Sequence, residues 1–327
     1  MINVVDADLE RLLAELEAKL ALVTAEPTLD GERAEFGRLV AWMQSGPEAI
    51  ATELALVADD HVPGRSGRAI PIRVYDAEAA RAEPADVIVY LHGGGWMIGD
   101  VDTHDEICRL VADRTRARVV AVDYRLAPEH PFPAALHDCL DVLEALTRDP
   151  ETGRLCVAGD SAGGNLAAAL ALHCRDTAGP EIAAQLLFYP CLDIGREDGS
   201  MARFAEGYVL TKDAMFRYYD QYAPGREQRS DPLAAPLRAA SLEGLPPTVI
   251  STAGFDPLLD EGRDFAGRLV AADVPTTYLP FPTLTHGWID MASRVPAAFA
   301  ARTHVLEAFA AVLGSPQTRP ADLEAQA

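Results

Sequence analysis

Basic side chains are scarce: 28 Lys and Arg stand against 50 Asp and Glu in 327 residues, a formal charge of −22. A phosphate backbone would be repelled overall, which argues against nucleic acid as a partner. Lysine is nearly absent, with only Lys19 and Lys212, a bias that fits codon usage better than function. Long apolar runs are missing too. The longest unbroken one near the centre, 166–172, falls far short of the ~18 residues that suggest a membrane span. Asp6, Asp8 and Glu10 occupy the N-terminus where a secretory signal needs a basic and then an apolar region. A soluble cytoplasmic protein is the expectation. Cys108, Cys139, Cys156, Cys174 and Cys191 are odd in number and form no C-x-x-C pair, which argues against a disulfide framework or a structural zinc site. They read as small buried hydrophobes in a reducing compartment. No G-x-G-x-x-G, P-loop or H-E-x-x-H spacing occurs, so neither a nucleotide cofactor nor a metal is expected. The adjacent residues Asp102-Thr103-His104-Asp105 diverge at a helix start and do not make a metal set. No internal repeat or low-complexity segment stands out.

What is present is an ordinary globular composition, 49% hydrophobic, long enough for one large core and a smaller appended element. In 8–23, Leu9, Leu12, Leu13, Leu16, Leu20 and Val23 recur at helical steps, so an amphipathic helix must lie on something apolar. A second helix follows Asp30, and Gly46-Pro47 punctuates its end. Next, 54–61 and 68–76, separated by Pro63-Gly64, read as an antiparallel pair. The strands 87–91, 119–122, 155–158, 182–188, 248–251 and 276–281 are continuous apolar runs, suited to burial on both faces. Helices at 105–115, 134–148, 162–176 and 258–271 alternate with most of them. This alternation predicts an α/β fold, a mostly parallel sheet with right-handed crossovers and helices on both faces.

Residues 195–247 break the alternation, being far longer than an ordinary connection. Within them 212–222 reads as a helix with an aromatic face of Phe216, Tyr218, Tyr219 and Tyr222 beside Met215, mostly for packing, with one or two residues left to line a pocket. The expected organisation is N-terminal cap helices at 1–53, a catalytic core at 54–194 and 248–314, a cap insertion at 195–247 and a tail at 315–327.

Gly159-Asp160-Ser161-Ala162-Gly163 follows a strand and opens a helix, the context of a G-x-S-x-G nucleophile elbow. Such a turn forces its central residue into a strained conformation and exposes Ser161 at the sheet's edge with a helix N-terminus behind it. A serine hydroxyl needs a base, and the base needs a carboxylate to orient it. His286 lies in a loop after 276–281, whereas His304 falls inside a helical stretch, so His286 is the base candidate. Asp256 follows 248–251 and is kept extended by Pro257, while Asp260 reads as a helix N-terminal charge, so Asp256 is the acid candidate. After 87–91 comes His92-Gly93-Gly94-Gly95-Trp96, where consecutive glycines let amide N–H groups point inward as an oxyanion hole, completed by Ala162. His92 reads as a structural histidine fixing this loop.

With Asp123-Tyr124-Arg125-Leu126-Ala127-Pro128-Glu129-His130-Pro131-Phe132-Pro133-Ala134, Asp256-Pro257-Leu258-Leu259-Asp260-Glu261-Gly262 and His286-Gly287, these segments resemble the hormone-sensitive-lipase-like (bacterial family IV) esterases of the α/β-hydrolase superfamily over about 85–313. The resemblance implies a helical cap over an α/β-hydrolase core and hydrolysis of short-chain acyl esters through an acyl-enzyme. It implies Ser161 as nucleophile, His286 as base and acid, Asp256 as its orienter, and two of Gly93, Gly94 and Gly95 with Ala162 around the oxyanion. No cofactor is implied, the partner is a small-molecule ester, and a homodimer is a family-level expectation. Trp288 stands where the family commonly has phenylalanine, and the cap offers no recognisable motif. The residues leave open an amide deacetylase with the same triad and a non-catalytic small-molecule receptor, the latter disfavoured because His286 is present. A buried Arg–carboxylate arrangement within 123–130, beneath the catalytic loops, is a further expectation.

Overall fold

The computed structural model describes residues 5–20, 28–49, 51–65, 67–78, 80, 81 and 83–314. Its sheet runs β1 (Leu56–Pro63), β2 (Ala69–Asp76), β3 (Ala85–Leu91), β4 (Arg118–Val122), β5 (Thr152–Asp160), β6 (Ile182–Phe188), β7 (Thr248–Phe255) and β8 (Thr276–Thr285) along the chain. In space the order is β1-β2-β4-β3-β5-β6-β7-β8, with β2 antiparallel to both β1 and β4 and every other pair parallel. Crossover helices require this arrangement, because parallel neighbours cannot be joined by a tight turn.

Strand periodicity divides the core in two. On β3, Val87, Val89 and Leu91 enter one cluster while Ile88 and Tyr90 enter the other. The first cluster is covered by α4 (Ala134–Leu146), α5 (Ala162–Asp176) and α9 (Leu259–Ala271) through Leu140, Leu166 and Phe265. The second is covered by α1 (Ala7–Leu20), α2 (Leu29–Gln44), α3 (Asp105–Thr115) and α10 (Pro296–Gly314) through Leu12, Met43, Val111 and Phe309. The apolar stripe of α1 thus finds its surface, although its expected end at Val23 lies outside the described residues, as does the tail at 315–327. Residues 195–247 hold α6 (Ser200–Arg203), α7 (Lys212–Tyr222), α8 (Arg226–Ser230) and a 3-10 turn at Pro236–Arg238.

Three strands run further than their apolar cores suggest. β5 reaches Asp160, β7 reaches Phe255 and β8 reaches Thr285, past Gly159, Gly254, Pro280 and Pro282. Pairing supplies what local propensity withholds, and β8 tolerates its prolines because it is the sheet's edge. Asp256 and His286 therefore sit directly at strand ends, not some residues into loops. Helix α10 is long and apolar enough by length and composition to cross a membrane. One face of it is nonetheless packed in the second cluster, and its buried Arg302 donates to Glu106 of α3 at 3.0 Å and to the Ile289 carbonyl at 3.2 Å. Those contacts describe a core helix.

The expected buried Arg–carboxylate arrangement forms with a carboxylate from outside 123–130. Arg125 forks onto Asp138 of α4 at 2.8–3.0 Å, not onto Asp123 or Glu129. Glu129 instead receives Arg33 of α2 at 2.8 Å, and Arg33 also donates to the carbonyls of Met97 and Ala127. Partners from distant segments outcompeted nearby ones, since adjacent loop residues point in different directions.

Candidate active site

Ser161 joins β5 to α5 at φ 53° and ψ −115°, a conformation that costs about 1–3 kcal/mol and persists only when its surroundings enforce it. Its N–H donates to the Phe188 carbonyl at 2.9 Å, and its own carbonyl accepts from Cys191 and Asn165. Gly163 is required beside it, because a Cβ there would collide with the Leu91 carbonyl of β3. The elbow is thus clamped between β3 and β6.

Phe255 of β7 pairs with Thr285 of β8, and the Thr285 hydroxyl donates to the Phe255 carbonyl at 2.9 Å. This register sets Asp256 and His286, thirty positions apart, side by side at adjoining strand ends. His286 Nδ1 lies 2.8 Å from Asp256 Oδ2, and His286 Nε2 lies 2.9 Å from Ser161 Oγ. A carboxylate only accepts, so Nδ1 carries the proton and Nε2 is left to receive the serine hydroxyl. Asp256 Oδ1 is held by the Leu258 N–H at 2.8 Å, and the carboxylate is fully buried. Of the rejected alternatives, His304 is exposed on α10. Asp260 lies in the first turn of α9, as its helix N-terminal reading has it, and is buried there, accepting the Ser200 N–H at 2.8 Å and Arg263 at 2.7 Å. Its neighbour Glu261 accepts the Leu192 N–H at 2.6 Å, and burial pushes its carboxyl up to about 8.

The glycine loop is fixed from behind. The Gly93 N–H donates to Asp160 Oδ1 at 3.0 Å, where the Tyr90 hydroxyl (3.1 Å) and His104 Nε2 (3.2 Å) also converge. By contrast, the N–H groups of Gly94, Gly95 and Ala162 have no acceptor among the described residues. Gly94 adopts φ 112°, and a Cβ on it would strike the Ile98 carbonyl. His92 bonds the Gly93 carbonyl through Nδ1 at 2.8 Å and stacks on Tyr124 at 4.2 Å, with the Tyr124 hydroxyl on the His92 carbonyl at 2.7 Å. Burial lowers its pKa to about 4, so it is a neutral structural residue, as expected of a loop-fixing histidine.

His104 was weighed from the sequence only as a metal ligand and set aside, yet it is buried behind this loop. The Thr103 hydroxyl donates to the Asp100 carbonyl at 2.8 Å, so at 3.0 Å from His104 Nδ1 it accepts. Nε2 faces the Asp160 carboxylate and the Gly93 N–H, each at 3.2 Å. Burial works against the charged ring, but Asp160 outweighs it and raises the His104 pKa. Asp160 is likewise pushed up by burial yet held below its usual range by His104 and Tyr90. Its place beside the elbow serine and the acids around His104 were the only sequence signals for this pair.

Ser161, Gly94, Gly95 and His286 border a cavity of about 220 Å³. Phe36, Leu39 and Met43 of α2 line it together with Ala214, Met215 and Tyr218 of α7. Arg217 of α7 donates to Glu32 of α2 at 2.8 Å, tying the two segments together, and the Tyr218 ring lies against Gly95. Met215, Tyr219 and Tyr222 are buried in packing, with the Tyr222 ring stacked on Trp96 at 4.2 Å. Trp288 does not border the cavity; it is buried among Phe188, Tyr189 and Phe281.

A family model described as alpha/beta hydrolase fold matches residues 88–290. The chain belongs to that family. Among relatives of this α/β-hydrolase chain, a carboxylic ester hydrolase, LipN, of Mycobacterium tuberculosis is 41% identical over 251 residues, spanning 72% of this chain but 65% of that protein. An ethyl acetate hydrolase of Pseudomonas putida is 34% identical, spanning 79% of this chain and 83% of that protein. The solved structure of an ester hydrolase, EH1AB1, from the metagenome of Lake Arreo, complexed with a bipyridine phosphonate derivative, matches with a TM-score of 0.88 at 34% identity. It covers 95% of this chain and 100% of that one.

Proposed function

We propose that this α/β-hydrolase chain is a serine carboxylesterase that cleaves short-chain acyl esters through an acyl-enzyme intermediate. The observation that carries this reading is the unbroken series from Asp256 through His286 to the Ser161 hydroxyl, which shares one cavity with Gly94 and Gly95, whose N–H groups, like that of the adjoining Ala162, have no acceptor among the described residues. In this reading His286 takes the Ser161 proton as Oγ attacks the ester carbonyl. Asp256 holds the ring in the needed tautomer and stabilises the imidazolium. The N–H groups of Gly94, Gly95 and Ala162 bind the tetrahedral oxyanion, each such donor contributing about 3–4 kcal/mol to the transition state. Gly93 is left out of that set because its N–H is committed to Asp160. His286 then protonates the departing alcohol, and water attacks the acyl-enzyme by the reverse path.

The α2 and α7 segments act as the cap, at 1–53 and 195–247, enclosing the substrate. At about 220 Å³ the cavity is small beside the ~300–1,000 Å³ of drug-sized sites, which favours short acyl chains. A cytoplasmic setting accords with five cysteines buried singly. Hydrolysis of p-nitrophenyl esters from two to twelve acyl carbons tests the proposal, with Ser161→Ala alongside. The expected result is a short-chain optimum abolished by the substitution. Equal rates for the two proteins, or an optimum at the longest chains, would overturn it, and a matched acetyl ester and acetamide separate esterase from deacetylase.

A further inference from the structure

The cavity beside Ser161 is mostly apolar, yet two carboxylates outside the series described above border it: Asp160, already engaged by Gly93, Tyr90 and His104, and Asp290 in the 3-10 turn Trp288–Met291. Asp290 is only 8% exposed, and its Oδ1 accepts from the Gln44 side-chain amide at 3.1 Å. Gln44 Nε2 also donates to the Thr103 carbonyl at 3.3 Å, so the amide that steadies Asp290 is itself fixed. Oδ2 has no hydrogen bond among the described residues. An acid held at one oxygen and unpaired at the other, in a greasy cavity, is an unmet acceptor, and such groups favour ligands that satisfy them.

We propose that Asp290 makes this cavity selective for esters bearing a neutral hydroxyl, placed so that its O–H donates to Asp290 Oδ2 when the ester carbonyl sits over Ser161. The inference rests on the esterase reading. The choice of a hydroxyl over an ammonium follows from the surroundings. The cavity wall is mostly apolar, so bringing a charged ammonium into it costs more than bringing in a neutral hydroxyl, and His104, which borders the same cavity, already interacts with Asp290. Burial raises the Asp290 carboxyl to about 6, so above neutral pH it is ionised and can only accept.

The test compares kcat/KM at pH 8 for paired esters of equal length: ethyl 3-hydroxybutyrate with ethyl butyrate, 2-hydroxyethyl butyrate with propyl butyrate, and ethyl 3-aminobutyrate as the cationic arm. Asp290→Asn keeps the shape while turning an N–H toward the cavity, and Asp290→Leu removes the polarity. We expect at least one hydroxylated ester to be preferred, with the preference falling about 10- to 100-fold in both variants. Ratios unchanged in both variants, or a preference for the amine alone, would overturn the proposal. Calorimetric binding of 2-hydroxyethyl and propyl butyrate to Ser161→Ala, with and without Asp290→Leu, reads selectivity without turnover. A wild type that folds yet cleaves no ester defeats the esterase reading. Selectivity is then judged by binding: a hydroxyl preference lost with Asp290 supports it, and equal binding overturns it.

Discussion

Two buried histidine–aspartate pairs flank the same cavity, and they differ in what the far ring nitrogen meets. His286 gives one nitrogen to Asp256 and turns the other to the Ser161 hydroxyl. His104 faces Asp160 with Nε2 and the accepting oxygen of Thr103 with Nδ1. The first pair turns a lone pair to a hydroxyl; the second has both ring nitrogens engaged by fixed structural partners. Residue type is the same in both, so the third partner decides whether a pair can move a proton or only hold a shape.

That difference should be largest in turnover. His286→Ala is expected to lower kcat by about 10⁴-fold or more, since the proposed general base is lost. His104→Gln should lower kcat by about 10²-fold, through a loosened glycine loop rather than lost chemistry. Because His104 acts through Asp160 and Gly93, KM for a plain ester should stay near the wild-type value. A His104→Gln enzyme as inactive as His286→Ala would break the comparison.

Stability should separate the pairs in the opposite sense. Removing one partner of a buried ion pair costs about 3–5 kcal/mol, so His104→Gln should unfold at markedly lower urea concentration. The pH dependence sharpens this. A histidine whose pKa is raised on folding contributes stability fully below its unfolded value, near 6.5, and loses it as pH rises through the folded value. Asp160, whose pKa is lowered on folding, contributes above its unfolded value and loses that as pH falls through the folded one. Wild type should therefore lose stability toward alkaline pH more steeply than His104→Gln, at most about 1.4 kcal/mol per pH unit for this one proton. Parallel urea curves from pH 6 to 10 would refute that assignment.

Much of the proposed site was legible because its residues sit on short glycine-marked segments at strand ends. Ser161, Asp256, His286 and the loop at Gly93–Gly95 each follow an apolar run, and chain order alone pairs them. What escaped depends on contacts between distant segments. His104 meets Asp160 across 56 positions, Arg33 meets Glu129 across 96, and Gln44 meets Asp290 across 246. No periodicity encodes such partners; they follow from register and packing. The strand ends were placed short for a related reason: 248–251 and 276–281 follow the apolar runs alone, while pairing of β7 with β8 carries the strands on to Asp256 and His286.

The smallest expected effect probes whether the first pair depends on bulk packed behind it. Trp288 is fully buried among aromatic rings two residues beyond His286, and Tyr189 contacts both side chains. Its indole N–H has no acceptor among the described residues. Trp288→Phe leaves a void, which is destabilising, but it also removes a buried unsatisfied donor, which is stabilising. The two terms oppose each other, so thermal unfolding should shift by no more than about 1 kcal/mol equivalent. Trp288 does not border the cavity, so kcat and KM should remain within about twofold of wild type. A tenfold loss of kcat from this substitution, with stability intact, would mean that His286 relies on packing as His104 does on its charge partner.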